Sequence, residues 1–159
     1  MIEHEIEFRR EELTSPVAER LILALNEEIL RRYPEEGTPL HFRLEAAEVA
    51  EGRGTFLVAY HHGRPVGCGA VRLLDSARAE IKRMYIEPSA RGHGLGYRLL
   101  CALEAEALML EVKEIVLETG PRQPEAIALY SRAGFSRIAA FGEHHDHPLS
   151  VFMGKTLQS

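Results

Sequence analysis

Three glycines fall within five residues in the stretch Arg91-Gly92-His93-Gly94-Leu95-Gly96, directly ahead of leucines spaced for a helix. Glycine in a helix costs about 1 kcal/mol relative to alanine, and no serine, threonine or aspartate stands ready to cap this start. The arrangement makes chemical sense if an anion supplies the cap. A helix N-terminus leaves backbone N–H groups unpaired and carries partial positive charge. Glycines let a ligand approach the main chain, so a diphosphate can accept those hydrogen bonds. Two familiar phosphate loops do not fit. A Walker loop requires Gly-Lys-Ser/Thr, whereas Tyr97 follows Gly96. A Rossmann fingerprint finds an acid at Glu118, about 20 residues on, but only two glycines match and the preceding strand belongs to a meander. Taken alone, the loop is equally compatible with a glycine-rich turn that binds nothing.

A second cluster is histidine-rich. Glu143-His144-His145-Asp146-His147 and the pair His61-His62 invite a metal reading. Zinc ligands are usually spaced to converge on one point and are seldom adjacent, so a solvated loop is the better reading and no metal is expected.

The bulk of the chain limits what such residues could serve. At 159 residues with 45% hydrophobic and 27% charged content, it suits a single globular domain over 1–159. A net charge of −5 argues against a general nucleic-acid or anionic-membrane binder. Even so, Arg78, Lys82, Arg83, Arg91 and Arg98 outnumber Glu80 and Glu87 near the loop, a local excess of three positive charges. Cys68 and Cys101 form no CxxC, and no signal peptide is evident. The expectation is two reduced, core-packed thiols in a cytoplasmic protein. No apolar run approaches the roughly 20 residues of a membrane span.

The elements that must position the loop follow from periodicity. EIEFRR alternates as a strand, and Thr14-Ser15-Pro16 opens a helix whose Val17, Leu21, Leu25 and Ile29 recur every four residues. FRLEAAEVAE reads as a shorter helix. GTFLVAYHHGRPVGCGAVRLL and AEIKRMYI supply three antiparallel strands, turning at His62-Gly63-Arg64-Pro65 and Asp75-Ser76. The helix after the glycines carries Leu95, Leu99, Leu103, Ala107 and Leu110 in one stripe. EIVLET is a strand, QPEAIALYSRAG a helix capped at Gly134, and FSRIAAF and LSVFMGKTL are closing strands. The central strand–loop–helix–strand unit demands a parallel pair inside an otherwise antiparallel sheet, an α/β fold with helices on both faces.

With Arg91, Gly94 and Gly96 in an Arg-x-x-Gly-x-Gly pattern after the fourth strand, and Leu129-Tyr130-Ser131-Arg132-Ala133-Gly134-Phe135 about 35 residues on, the chain resembles the GNAT superfamily of acyl-CoA N-acyltransferases. The likeness extends over nearly the whole predicted element order. It implies a seven-stranded, mostly antiparallel sheet splayed between strands 4 and 5, with the pantetheine arm of acetyl-CoA entering the gap. Main-chain groups of Met84, Tyr85 and Ile86 would pair with that arm, and Arg91, Gly92, His93, Gly94, Leu95 and Gly96 would hold the diphosphate.

The resemblance also assigns roles. Tyr130 would be the acid for the departing thiolate and Glu80 the general base, often acting through water. Glu80 reads equally as a strand residue in a salt bridge with Arg78 or Lys82. Gln123 stands where many relatives carry asparagine toward CoA. Arg122 and Arg132 could meet phosphates but read as ordinary solvated arginines. The acceptor would be a primary amine on a small metabolite or amino acid, in a pocket near Tyr33, Glu35, Glu36, His41 and Arg43, with Arg43 or Arg83 holding a carboxylate. A peptide or lysine amine, or a non-catalytic acyl-CoA sensor, are the alternatives. The family's frequent homodimers make a dimer compatible with the likeness.

Overall fold

Ser15 and Pro16 start the first helix as their types require. In the computed structural model, which describes residues 6–34, 44–142 and 147–157, Ser15 Oγ accepts from the Ala18 N–H at 3.1 Å, and Pro16, which has no N–H to lose, takes the first helical position. Helix α1 (Pro16–Arg32) follows strand β1 (Ile6–Arg10) and buries Ala18, Leu21, Leu25 and Ile29. Each large side chain on that stripe contributes roughly 1.5–3 kcal/mol by leaving water.

Strands β2 (Gly54–His61), β3 (Arg64–Leu73) and β4 (Arg78–Ile86) form the expected meander. Helix α2 (Leu95–Met109) then crosses to β5 (Glu114–Thr119), which lies parallel to β4. Helix α3 (Pro124–Arg132), β6 (Ser136–Arg137) and β7 (Val151–Thr156) complete the chain. One seven-stranded sheet results, in the order β1-β2-β3-β4-β5-β7-β6, with every other pairing antiparallel. The strand period of two divides the residues between the sheet's faces. Phe56, Val58, Cys68, Ala70 and Tyr85 meet α1, while Leu57, Val71, Ile81, Ile115 and Leu117 join the core formed with α2 and α3.

Three expectations need correction. The described part of FRLEAAEVAE holds only a 3₁₀ turn, Ala46–Val49, closed by a reciprocal Glu45–Glu48 capping box with no buried face to lengthen it. The FSRIAAF strand pairs only through Ser136 and Arg137, both exposed at the sheet's end. Cys68 is fully buried, but Cys101 is exposed, because it falls off the Leu95-Leu99-Leu103 stripe.

Candidate active site

Gly94 is the N-cap of α2, at φ +76°, and no side chain caps the helix. Gly92 is also left-handed, at φ +87°, a region that penalises side-chained residues. At both positions no atom lies within 4 Å of where a Cβ would project, so the main chain is open to close approach. The loop thus has the free amides, the dipole and the access that an anion needs. Gly96 has a different reason to be small: a Cβ there would come within 3.2 Å of Leu129 on α3. Arg91 is anchored, its Nε donating to the Ile86 carbonyl at 2.8 Å and its Nη2 to Glu28 at 2.7 Å. His93 is exposed and lies outside the lining of the adjoining cavity.

Beside the loop the sheet comes apart. β4 and β5 are in register only from Arg78↔Glu114 to Ile81↔Leu117. Beyond that point the β5-facing edge of Lys82–Ile86 has no strand partner among the described residues, and an unpaired edge is a template for an extended ligand. A bulge bends the same segment. Lys82 pairs with Ala70 and Tyr85 with Cys68, so Arg83 and Met84 share a single opposing position. Arg83 takes up the irregularity at φ +57°, uncommon for a residue with a side chain.

Two hollows meet at this split. The first, about 410 Å³, runs from Gly92, Gly94 and Gly96 past Met84, Tyr85 and Ile86 to Tyr130, and is bordered by Gln123 and Arg132 from α3. Its volume falls within the range of small-molecule sites. The second, about 50 Å³, lies deeper under Leu25 and Ile29 of α1, and holds Glu80, Lys82, Arg83, Glu118, Gln123 and Tyr130. Tyr130 and Gln123 border both. The Tyr130 hydroxyl lies 3.9 Å from Met84 Sδ, and its ring packs against Phe135. Burial pushes the phenol up to about 12, so it stays protonated at any ordinary pH.

Glu80 is only 2% exposed and sits in a chain of charges. Its Oε1 accepts from Arg72 Nη2 at 2.8 Å and from Nε at 3.1 Å, while Arg72 Nη1 reaches Glu48 at 2.9 Å. Glu80 is thus ion-paired with Arg72 across the β3–β4 ladder. Burial lowers Lys82, an effect partly opposed by the Glu80 charge. Glu118 accepts from Ser150 Oγ at 2.6 Å. The Arg83 guanidinium donates to Asn26 Oδ1 at 2.8 Å, and burial lowers its proton affinity.

The end of α1 is tied to the chain that follows β5. Arg32 at the end of α1 donates to the Arg122 carbonyl at 3.1 Å, and Arg122 returns a bond to the Arg32 carbonyl at 2.7 Å. The Tyr33 hydroxyl accepts from the Arg122 N–H at 2.9 Å, and Arg32 also pairs with Glu125. Tyr33 and Arg122 therefore hold α1 to the chain beyond β5. Glu35, Glu36, His41, Arg43 and the histidines His144 and His145 lie outside the described residues. Sequence reasoning missed Glu28, Asn26, Arg72 and Ser150, because their roles come from partners distant in sequence. Only the bracing of Glu80 was foreseeable, as some salt bridge.

Known proteins agree with this geometry. Residues 22–135 match the model for the acetyltransferase (GNAT) family. An IAA acetyltransferase of Azospirillum brasilense is 40% identical over 126 residues, covering 79% of this chain and 80% of the relative. A solved structure from Klebsiella pneumoniae, described as an acyl-CoA N-acyltransferase, is 35% identical with a TM-score of 0.82, covering 96% of this chain and 98% of that one. The fold also matches a Thermoplasma acidophilum N-acetyltransferase solved with coenzyme A, at 18% identity and a TM-score of 0.71, covering 96% of this chain and 99% of that one. With a family match over most of its length, a split β4–β5 pair and a glycine-opened helix at the split, this chain belongs to the GNAT acetyltransferases, enzymes of the acyl-CoA N-acyltransferase class.

Proposed function

We propose that the protein moves an acetyl group from acetyl-CoA to the primary amine of a small metabolite or amino acid, by direct attack while both substrates are bound. The observation that carries this reading is the position of Tyr130, whose side chain borders both the hollow behind the glycine loop and the charged cleft under α1. One substrate enters from each side, and the reacting atoms meet at the tyrosine.

The chain's own groups suit the steps. The loop amides at Gly92 and Gly94 hold the diphosphate, with Arg91, His93, Leu95 and Gly96 completing the loop and Gln123 at its opposite wall. The unpaired edge from Met84 through Tyr85 to Ile86 pairs with the pantetheine amides. An amide at the bulge donates to the thioester oxygen as it gains charge. Glu80, through water, takes the proton of the attacking ammonium, so that nitrogen can form its bond to the carbonyl carbon. When the C–S bond breaks, the Tyr130 hydroxyl donates to the departing sulfur and is reprotonated by the second proton that the newly acylated nitrogen sheds. Cys68 and Cys101, both free, suit a reducing cytoplasm.

The test is release of free thiol from acetyl-CoA across a panel of amines. Amine-dependent release with formation of an amide product is expected. Tight acetyl-CoA binding with no release on any amine would overturn the reading in favour of a sensor.

A further inference from the structure

Arg83 is a charge without a matching charge. It sits in the cleft beneath α1 with its Nη1 spent on the neutral amide oxygen of Asn26. Its Nε is buried and makes no hydrogen bond, and no carboxylate among the described residues pairs with it. The two acids of the same cleft are committed elsewhere, Glu80 to Arg72 and Glu118 to Ser150. The neighbouring Cys68 thiol donates to the Arg83 carbonyl and, pushed up to about 12 by burial, brings no negative charge.

Arg83 is half-buried, with its Nε out of water, and withdrawing a guanidinium from water without a counter-charge is costly. The backbone adds to that cost, because Arg83 holds φ +57° at the β4 bulge. The hydrogen bond to the neutral Asn26 amide offsets only part of these costs and brings no counter-charge. The bulge also fixes where the side chain starts, two residues from Tyr85 on the open edge and one from Met84, which touches the Tyr130 hydroxyl. The group is therefore poised on the acceptor's side of the reaction centre.

We propose that Arg83 binds the carboxylate of the acceptor, so that the amine acetylated by this enzyme belongs to an amino acid. The guanidinium offers the fork of parallel donors that a carboxylate matches. Glu80 and Glu118 line the same cleft, and their negative charge suits the ammonium end of such an acceptor. This proposal deepens the acetyl-transfer reading above and rests on it for the identity of the site, but its test does not depend on turnover.

The experiment is equilibrium titration of the CoA-saturated protein with each protein amino acid and with its α-carboxamide, which keeps the size and removes the negative charge. At least one amino acid should bind with its carboxamide about 30-fold weaker, the scale of one charge-assisted hydrogen-bond pair. Arg83→Gln should erase that difference, and Arg83→Lys should keep part of it. Unchanged CoA affinity in both variants shows that they fold. If no amino acid binds, if carboxamides bind as well, or if Arg83→Gln leaves the preference intact, the proposal falls. Carboxylate binding without thiol release would leave Arg83's role standing while overturning the transfer reading.

Discussion

The two hollows that meet at Tyr130 are built from different materials. The outer one offers main chain for binding: left-handed glycines at a helix start and a strand edge released where β4 and β5 part. The inner one is made of side chains, charged groups braced by partners on other strands and helices. A backbone site can serve any molecule with the right linear array of acceptors. A side-chain site selects by charge and size. Under the proposed reading, the difference separates the half that would recognise what the family shares from the half that would set this enzyme apart.

That division can be broken at its seam. Tyr130→Phe should lower kcat about 100-fold, the lower range for a lost acid, while acetyl-CoA affinity stays within about twofold. Rapid-quench turnover and titration calorimetry measure the two separately; an unchanged kcat with chemistry limiting would remove the hydroxyl from the mechanism. On the outer side, Gly94→Val should weaken acetyl-CoA binding about 30-fold, since a branched residue resists the left-handed cap by 1–2 kcal/mol or more and its side chain would fill the open approach. The acceptor KM should stay put. On the inner side the pattern reverses. Glu80→Gln should cost only about 10-fold in kcat/KM, because Glu118 lines the same cleft, and should shift or abolish the acidic limb of the pH–rate profile. An acidic limb that does not move would exclude Glu80 as the base.

How much of this the residue order discloses follows the same line. Arg91, Gly92, Gly94 and Gly96 announce themselves because φ and close approach are local needs that glycine answers locally. The α1 and α2 stripes are legible for a similar reason, since a helix repeats its demand every turn. Glu80 could be read as charged and on a strand, but its pairing with Arg72 depends on the β3–β4 register. The 3₁₀ turn at Ala46–Val49 escaped because alternating alanines and acids satisfy helical spacing without a face to bury. Arg83 was one of two arginines that could hold a carboxylate, and nothing in its neighbours along the chain foretold its isolation.

A further expected effect is confined to alkaline pH and concerns stability. Burial raises Tyr130 and Cys68 to about 12 in the folded protein, from ordinary values of 10 and 9, so the native state retains their protons more tightly than the unfolded chain. Their stabilisation is complete below the unfolded values and is lost as pH rises toward the folded ones. Each group should remove about 1.4 kcal/mol per pH unit within its window, from about 9 to 12 for Cys68 and 10 to 12 for Tyr130. Denaturant melts across that range should show the decline, and Cys68→Ala or Tyr130→Phe should flatten it. An equal slope in both variants would place the alkaline sensitivity elsewhere.

The clasp between Arg32 and Arg122 has a mechanical meaning. Two half-sheets joined through four paired positions form a hinge, and bending will gather there. By linking the far end of α1 to the chain just past β5, the reciprocal carbonyl contacts act as a strut across the opening and set its resting gauge. The width of the slot is thereby governed by a helix that belongs to neither edge of it.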